Sequence, residues 1–479
     1  MSRRAVPILL CLVFAAYVAM LLRNTCYFAA GPDSSGYLNE ARMLAHGELR
    51  VAIEPLRTFG LDAKFADIFV PLGFARHAAT EMTPTYPPGL PLHMALFAAI
   101  GGWRIAPYLV TTFAAIAALL LVYAIGRELQ LPKSLAIAGA AILAASPIFM
   151  NFAMQPMSDL VACAWALAAI YAALVSRRSP NVAFAAGLAF AVGVWVRPTN
   201  ALLALALLFA LPLRVRQLLA TFAGALPFVV ALGALNALQY GRWYRTGYGT
   251  PAEQIALRPL CFDFHTMGTL RMLTPLVVVA AVFVILCVRR VAWNYRAMLV
   301  AWFAAFFLFY SWYGYCELWL SSRFLLPAFP ALVIAAMLTL DVVRTFRFGR
   351  GVTIAAIVIM LTMLARTGSK LRVFRIDDYE SIFPQSVRLT EERAPSNALI
   401  VSGVLSGAFY YGGHWTARWD RLEPATFATL RDAASSRHLP IYATISDKEV
   451  TPAEFHRRLP GTWTPVGRAR DVTLFRFDG

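Results

Sequence analysis

An aspartate lies in Gly31-Pro32-Asp33-Ser34-Ser35-Gly36-Tyr37, shortly beyond the first long apolar run. A carboxylate at a water–lipid boundary is partly desolvated, which raises its basicity and suits it to general-base work. The competing reading is local: Asp33 caps a helix over 34–46, since Asp is a favoured N-cap. Further along, three ionisable residues stand at the edges of apolar runs, where a charge is costly and by default marks function. They are Asp159 after Met157-Ser158, Arg197 in Val196-Arg197-Pro198-Thr199, and Arg323 in Ser321-Ser322-Arg323-Phe324-Leu325-Leu326-Pro327. The guanidinium fork of arginine matches phosphate, and a lipid-borne phosphate lies at this depth. A structural ion pair such as Asp159–Arg197 would account for two of the three without function. Thr85-Tyr86-Pro87-Pro88-Gly89 forms a stiff lead into an amphipathic segment, where His93 reads as a packing or interfacial histidine.

The elements that must hold these residues follow from composition. Of 479 residues, 59% are hydrophobic and 14% charged, and the mean hydropathy is +0.62. Soluble domains run nearer 45–50% apolar and about 25% charged. The chain therefore reads as an all-α polytopic membrane protein. Eleven apolar runs are spaced as spans, at 6–22 and near 105–126, 134–150, 160–176, 181–196, 199–213, 217–238, 272–288, 297–313, 324–341 and 351–366. The run at 6–22 lacks a small-residue cleavage site and reads as an uncleaved first span.

A twelfth stretch, 88–103, is short and opens on prolines. If it does not cross, the segments facing the cytoplasm carry 14 basic and 2 acidic residues, which is the expected positive-inside bias. If it crossed, every later basic cluster would change sides. The net charge of +17 is thus mainly an orientation signal, and a nucleic-acid partner is not needed. The same parity puts Asp33, Asp159, Arg197, Arg323 and the tail on one side, outside the cytoplasm.

Two parts are expected: a transmembrane domain over 1–366, whose external loop 23–104 carries Asp33, and a small extracytoplasmic α/β domain over 367–479. In the tail, 398–401, 440–445 and 472–477 read as strands and 424–437 as a helix. Residues 451–458 read as a helix with a Thr451…Glu454 capping box. Cys26, Cys261 and Cys316 fall near the external face, and a disulfide between two of them is left open. No phosphate-cradling glycine loop and no metal-ligand cluster stand out, although a divalent cation stays open as a cofactor.

The aspartate loop, the Tyr86-Pro87-Pro88-Gly89 lead, the Asp159 turn, the Arg197-Pro198-Thr199 hinge and the Arg323-Phe324-Leu325-Leu326-Pro327 start occur in an order that resembles the C-type (GT-C) membrane glycosyltransferases. That superfamily includes protein O-mannosyltransferases and lipid A aminoarabinose transferases. The resemblance covers about 1–345. It implies inverting sugar transfer, hexosyl or pentosyl, from a polyprenyl-phosphate donor to an extracytoplasmic hydroxyl of an envelope glycan, glycolipid or protein. Asp33 matches the catalytic aspartate, and Tyr37, Tyr86, Asp159, Arg197 and Arg323 are the expected substrate-binding residues. Protein O-mannosyltransferases usually carry Glu directly after that aspartate, whereas here Ser34 follows. The expected location is a bacterial inner membrane, with the N-terminus in the cytoplasm. A flippase of lipid-linked sugars is the alternative. Such transporters often show internal repeats and midplane broken helices; this chain shows no repeat.

Overall fold

Each of the eleven apolar runs is helical in the computed structural model, which describes residues 5–287, 291–316 and 319–479. Arg3, Arg4, Arg289 and Arg290 of the positive-inside count lie outside those residues. Proline decides where the helices break, because it lacks an amide donor and clashes with the preceding turn. Pro147 separates Lys133–Ala145 from Pro147–Ala153 at a 70° bend, and Pro275 sits at a 101° bend after Phe262–Leu273. Pro198 ends Ala183–Val196 and opens a 3-10 turn, Pro198–Leu203. Among the described residues four helices, Ala106–Glu128, Ser158–Val175, Val215–Tyr240 and Gly349–Lys370, are long and apolar enough to cross a membrane, or up to six spans if each bent pair counts as one. Length and composition alone do not confirm the expected eleven spans, since the breaks leave several runs as short helices.

The chain divides into two compact units interleaved in sequence: 1–25, 108–235 and 249–375 form the first, and 26–107, 236–248 and 376–479 the second. In the first, helix Ser158–Val175 packs on Ala183–Val196, and Pro275–Cys287 packs on Phe329–Val343. The latter helix is buried along nearly its whole length. Cys261 and Cys316 form a disulfide in this unit, resolving which pair bonds, while Cys26 is buried and outside the bridge. The bridge joins two segments that also pair through an isolated Ile255–Tyr313 bridge and a Cys261 amide donating to the Ser311 carbonyl at 3.0 Å.

The second unit holds two sheets. Strands β1 (Val51–Ala52), β2 (Phe74–Arg76) and β3 (Glu81–Pro84) form a small antiparallel sheet in the order β1-β3-β2. Strands β4 (Leu399–Ser402), β5 (Trp415–Arg418), β6 (Ile441–Ser446), β7 (Trp463–Ala469) and β8 (Val472–Phe477) form a mixed sheet ordered β5-β4-β6-β8-β7. The tail strands expected at β4, β6 and β8, the helix now seen as Pro424–Ser435, and the Thr451 cap over Pro452–Arg458 are present, with Thr451 Oγ1 accepting from the Glu454 amide at 3.3 Å. The sequence division at 366/367 separates in the chain what one core joins. Met43, Phe59, Phe69 and Met82 of the first external loop pack in a single buried cluster with Leu399, Val401, Phe427 and Ile441 of the tail.

Candidate active site

Asp33 is presented by helix Pro32–Ala45 of the second unit. Proline is favoured at the first helical position, where its missing N–H has no bond to lose. The helix therefore starts earlier than expected, with Gly31 as N-cap and Asp33 inside the first turn. The capping reading of Asp33 is corrected accordingly. Its Oδ1 accepts from the Tyr86 hydroxyl at 2.9 Å. One turn on, the Tyr37 ring lies 4.5 Å from the Tyr86 ring, centroid to centroid. Both tyrosines are buried, so their packing fixes the hydroxyl that orients the carboxylate. This close approach requires Gly36, where a Cβ would come within 2.1 Å of the Tyr86 ring.

The tail steadies the opposite flank. A Cβ on Gly407 would lie 2.5 Å from Ser35 Oγ, Asn39 donates to the Gly407 carbonyl at 3.0 Å, and Arg42 donates to the Tyr411 carbonyl at 2.7 Å. Helix Gly89–Gly101 packs on the Asp33 helix as well. Its 13 residues rise about 20 Å at 1.5 Å each, short of the roughly 30 Å of hydrocarbon. His93 bonds back to the Gly89 carbonyl through Nδ1 at 2.6 Å, a local helical contact. Glu40, on the same helix as Asp33, is fully buried with no hydrogen-bond partner among the described residues. Burial pushes its carboxyl well above the usual carboxylate range.

The first unit gathers the other three expected residues. Asp159 lies in the first turn of Ser158–Val175, where the helix dipole favours negative charge, and it is 1% exposed. Arg197 is extended (φ −151°, ψ 113°), as a residue before proline must be, and its guanidinium hydrogen-bonds Asp159. Arg323, on the 3-10 turn Trp319–Leu325, places Nε 4.0 Å from the other carboxylate oxygen. The Phe324 ring stacks between them, 4.9 Å from the Arg197 and 5.4 Å from the Arg323 guanidinium.

Tyr310 holds that ring from behind at 5.1 Å and shares a 2.7 Å hydroxyl contact with Thr199. Tyr310 was not legible as a site residue, because it sits in an aromatic-rich apolar helix, Trp293–Ser311. The ion pair allowed by the structural reading is thus real, and one carboxylate faces two guanidiniums. Two guanidinium forks gathered at one buried carboxylate are groups whose geometry also matches an anion such as a phosphate. Among the described residues no cluster of three or more His, Cys, Asp or Glu could hold a metal ion.

The fold is similar to that of solved arabinofuranosyl- and oligosaccharyltransferases. Residues 85–238 match the family model described as dolichyl-phosphate-mannose-protein mannosyltransferase. The match covers less than half of the chain and begins beyond Asp33-Ser34. Among solved structures, ArnT from Cupriavidus metallidurans bound to undecaprenyl phosphate superposes with a TM-score of 0.63 at 12% identity, covering 98% of this chain and 97% of that one. Arabinofuranosyltransferase AftD from Mycobacteria gives a TM-score of 0.58 at 13% identity, over 100% of this chain and 40% of that one. The apo Archaeoglobus fulgidus oligosaccharyltransferase gives 0.50 at 12% identity, over 91% and 69%. Among curated proteins, none matches the sequence significantly. The resemblance carried by the order of the sequence motifs therefore holds, at the level of the fold and of the matching family model.

Proposed function

We propose that the protein is an integral membrane glycosyltransferase that moves a hexosyl or pentosyl group from a polyprenyl-phosphate donor to an extracytoplasmic hydroxyl with inversion. The observation that carries this reading is the Tyr86 hydroxyl orienting Asp33 at the start of its helix, in a chain with the fold of ArnT solved bound to undecaprenyl phosphate. Asp33 takes the proton of the acceptor hydroxyl, and the oxygen attacks the anomeric carbon from the face opposite the phosphate. The anomeric C–O bond breaks, and polyprenyl phosphate leaves with the electron pair. Arg197 and Arg323 hold the phosphate and stabilise its growing charge, with Asp159 fixing both guanidiniums. Tyr37 and Tyr86 line the acceptor side. Ser34, in place of the acidic residue of protein mannosyltransferases, favours a glycan or glycolipid acceptor over a protein. The test is release of undecaprenyl phosphate by purified protein in nanodiscs from a panel of labelled undecaprenyl-phosphate hexoses and pentoses. A protein that moves these lipids across the bilayer without cleaving any would be a flippase.

The proposed topology is eleven membrane passes within 1–366, the N-terminus in the cytoplasm of a bacterial inner membrane, and the tail 367–479 outside. The Cys261–Cys316 bridge supports it, because disulfides persist in oxidising, non-cytoplasmic compartments. A periplasmic-type phosphatase fused after Gly479 is expected to be active, and one fused after Arg178 inactive; the reverse result at Gly479 would reject the orientation. In intact protein, Cys261 and Cys316 are expected to resist maleimide until a reductant is added. Labelling of both before reduction would mean that the bridge does not form in the cell.

A further inference from the structure

Among the groups not used above, Glu380 stands out. It ends the short helix Asp377–Glu380, just inside the C-terminal part of the second unit. The backbone N–H of Gly31 donates to its carboxylate, and its Oε2 is buried without a hydrogen-bond partner among the described residues. Three residues on, the Phe383 ring lies 3.5 Å from where a Gly31 Cβ would be. Gly31 is the N-cap of the Asp33 helix, and an N-cap amide is outside the helix's own bonding ladder. The segment 380–383 therefore grips the residue that sets where the helix starts and where Asp33 points.

We propose that Glu380 is a positioning residue for Asp33: a buried carboxyl, supplied by the tail, that pins the start of the Asp33 helix through Gly31 and sets a second acid beside the first. The inference rests on the general-base reading of Asp33. It gives the tail a role, since the tail supplies an acid to the start of the helix that carries Asp33.

The electrostatics agree with the geometry. Burial, then the nearby Asp33 charge, push the Glu380 carboxyl up to about 7, against the opposing Gly31 bond. The charged and titratable groups around it are Asp33 on the helix it grips, Asp378 and Tyr379 on its own element, and Cys26 near Tyr379. Arg470, Lys448, Glu449 and Asp471 line the neighbouring cavity with Asp378. Below about pH 7 Glu380 is a neutral acid. Above it, a second negative charge appears next to Asp33 and makes Asp33 a stronger base, because like charges disfavour each other's ionised form.

The experiment combines pH-difference infrared spectroscopy of full-length protein in nanodiscs with the donor-panel assay. Wild type is expected to show a protonated-carboxyl band that disappears as pH rises through about 7. The band should be missing in Glu380→Gln. In Asp33→Asn, which removes the like charge and leaves Glu380 in place, its midpoint should move to lower pH. In transfer, wild-type kcat should rise through the same midpoint. Glu380→Gln, whose amide oxygen still accepts from Gly31, should lose that rise with KM unchanged. An unmoved midpoint in Asp33→Asn, or a wild-type pH profile in Glu380→Gln, would overturn the pairing. Full transfer by Asp33→Asn together with a shifted midpoint would instead overturn the general-base reading and leave the pairing standing.

Discussion

Asp33→Asn is expected to lower turnover by about 10²–10⁴-fold, the range that general acid–base catalysis contributes, while the protein accumulates and melts as wild type. Asparagine keeps an oxygen that can accept from the Tyr86 hydroxyl, now 2.9 Å from Asp33 Oδ1, so the local packing survives. Gly31, not Asp33, is the N-cap of this helix, so the substitution does not replace the cap residue. What is removed is a first-turn charge, worth about 0.3–1 kcal/mol with the helix dipole, and the capacity to take a proton. Asp33→Glu keeps the chemistry but shifts the carboxylate by one methylene away from Tyr86, so its rate should fall between the two. The measurement is release of undecaprenyl phosphate from whichever member of the donor panel wild type cleaves. Undiminished release by the Asn variant would remove Asp33 as the base.

Arg323→Lys should reduce kcat/KM by roughly tenfold to a hundredfold, the loss of about 1.5–3 kcal/mol in charged hydrogen bonding. Lysine keeps the charge, but it replaces a planar fork with a single ammonium and forfeits stacking on Phe324, 5.4 Å from the guanidinium. Arg323 is a cleaner probe than Arg197. Arg197 is hydrogen-bonded to Asp159, which is 1% exposed. Removing one partner of such a buried pair costs about 3–5 kcal/mol, so an Arg197 variant would confuse unfolding with inactivity. Arg323 Nε stands 4.0 Å from the same carboxylate, and the lysine variant leaves both partners of the Asp159–Arg197 pair in place. Wild-type kinetics in Arg323→Lys would reduce the arginine to a structural anchor at the start of its helix.

Local physics was legible in the sequence. Apolar runs became helices because backbone bonds close within a run, and Thr451 capped its helix because cap and amide are three residues apart. The central strands β4 and β6 were visible as short apolar stretches and are buried throughout. The tail strands that went unread, β5 and β7, are the two edges of its sheet, and the three short strands β1–β3 of the first external loop went unread as well. β7 carries Pro465 and Gly467 at a register irregularity, and an edge tolerates both residues because no ladder bond is lost there. Pro32 was a readable signal of the helix start, and taking it as the first helical residue would have moved Asp33 off the cap.

Tertiary structure alone decided the rest. Tyr86 reaches Asp33 across 53 residues of chain, and two of three cysteines near one face bond across 55. Glu380 meets Gly31 from the far end of the sequence. The first external loop and the tail share one core, although composition divides them. None of these pairings leaves a trace in periodicity, because each depends on which distant segments the packing brings side by side. The sequence by itself determined the helical, membrane-type class, the tail's central strands and the candidate residue types. Only packing between distant segments determined which hydroxyl orients the aspartate, which arginine holds the buried carboxylate, and which acid stands behind the helix start.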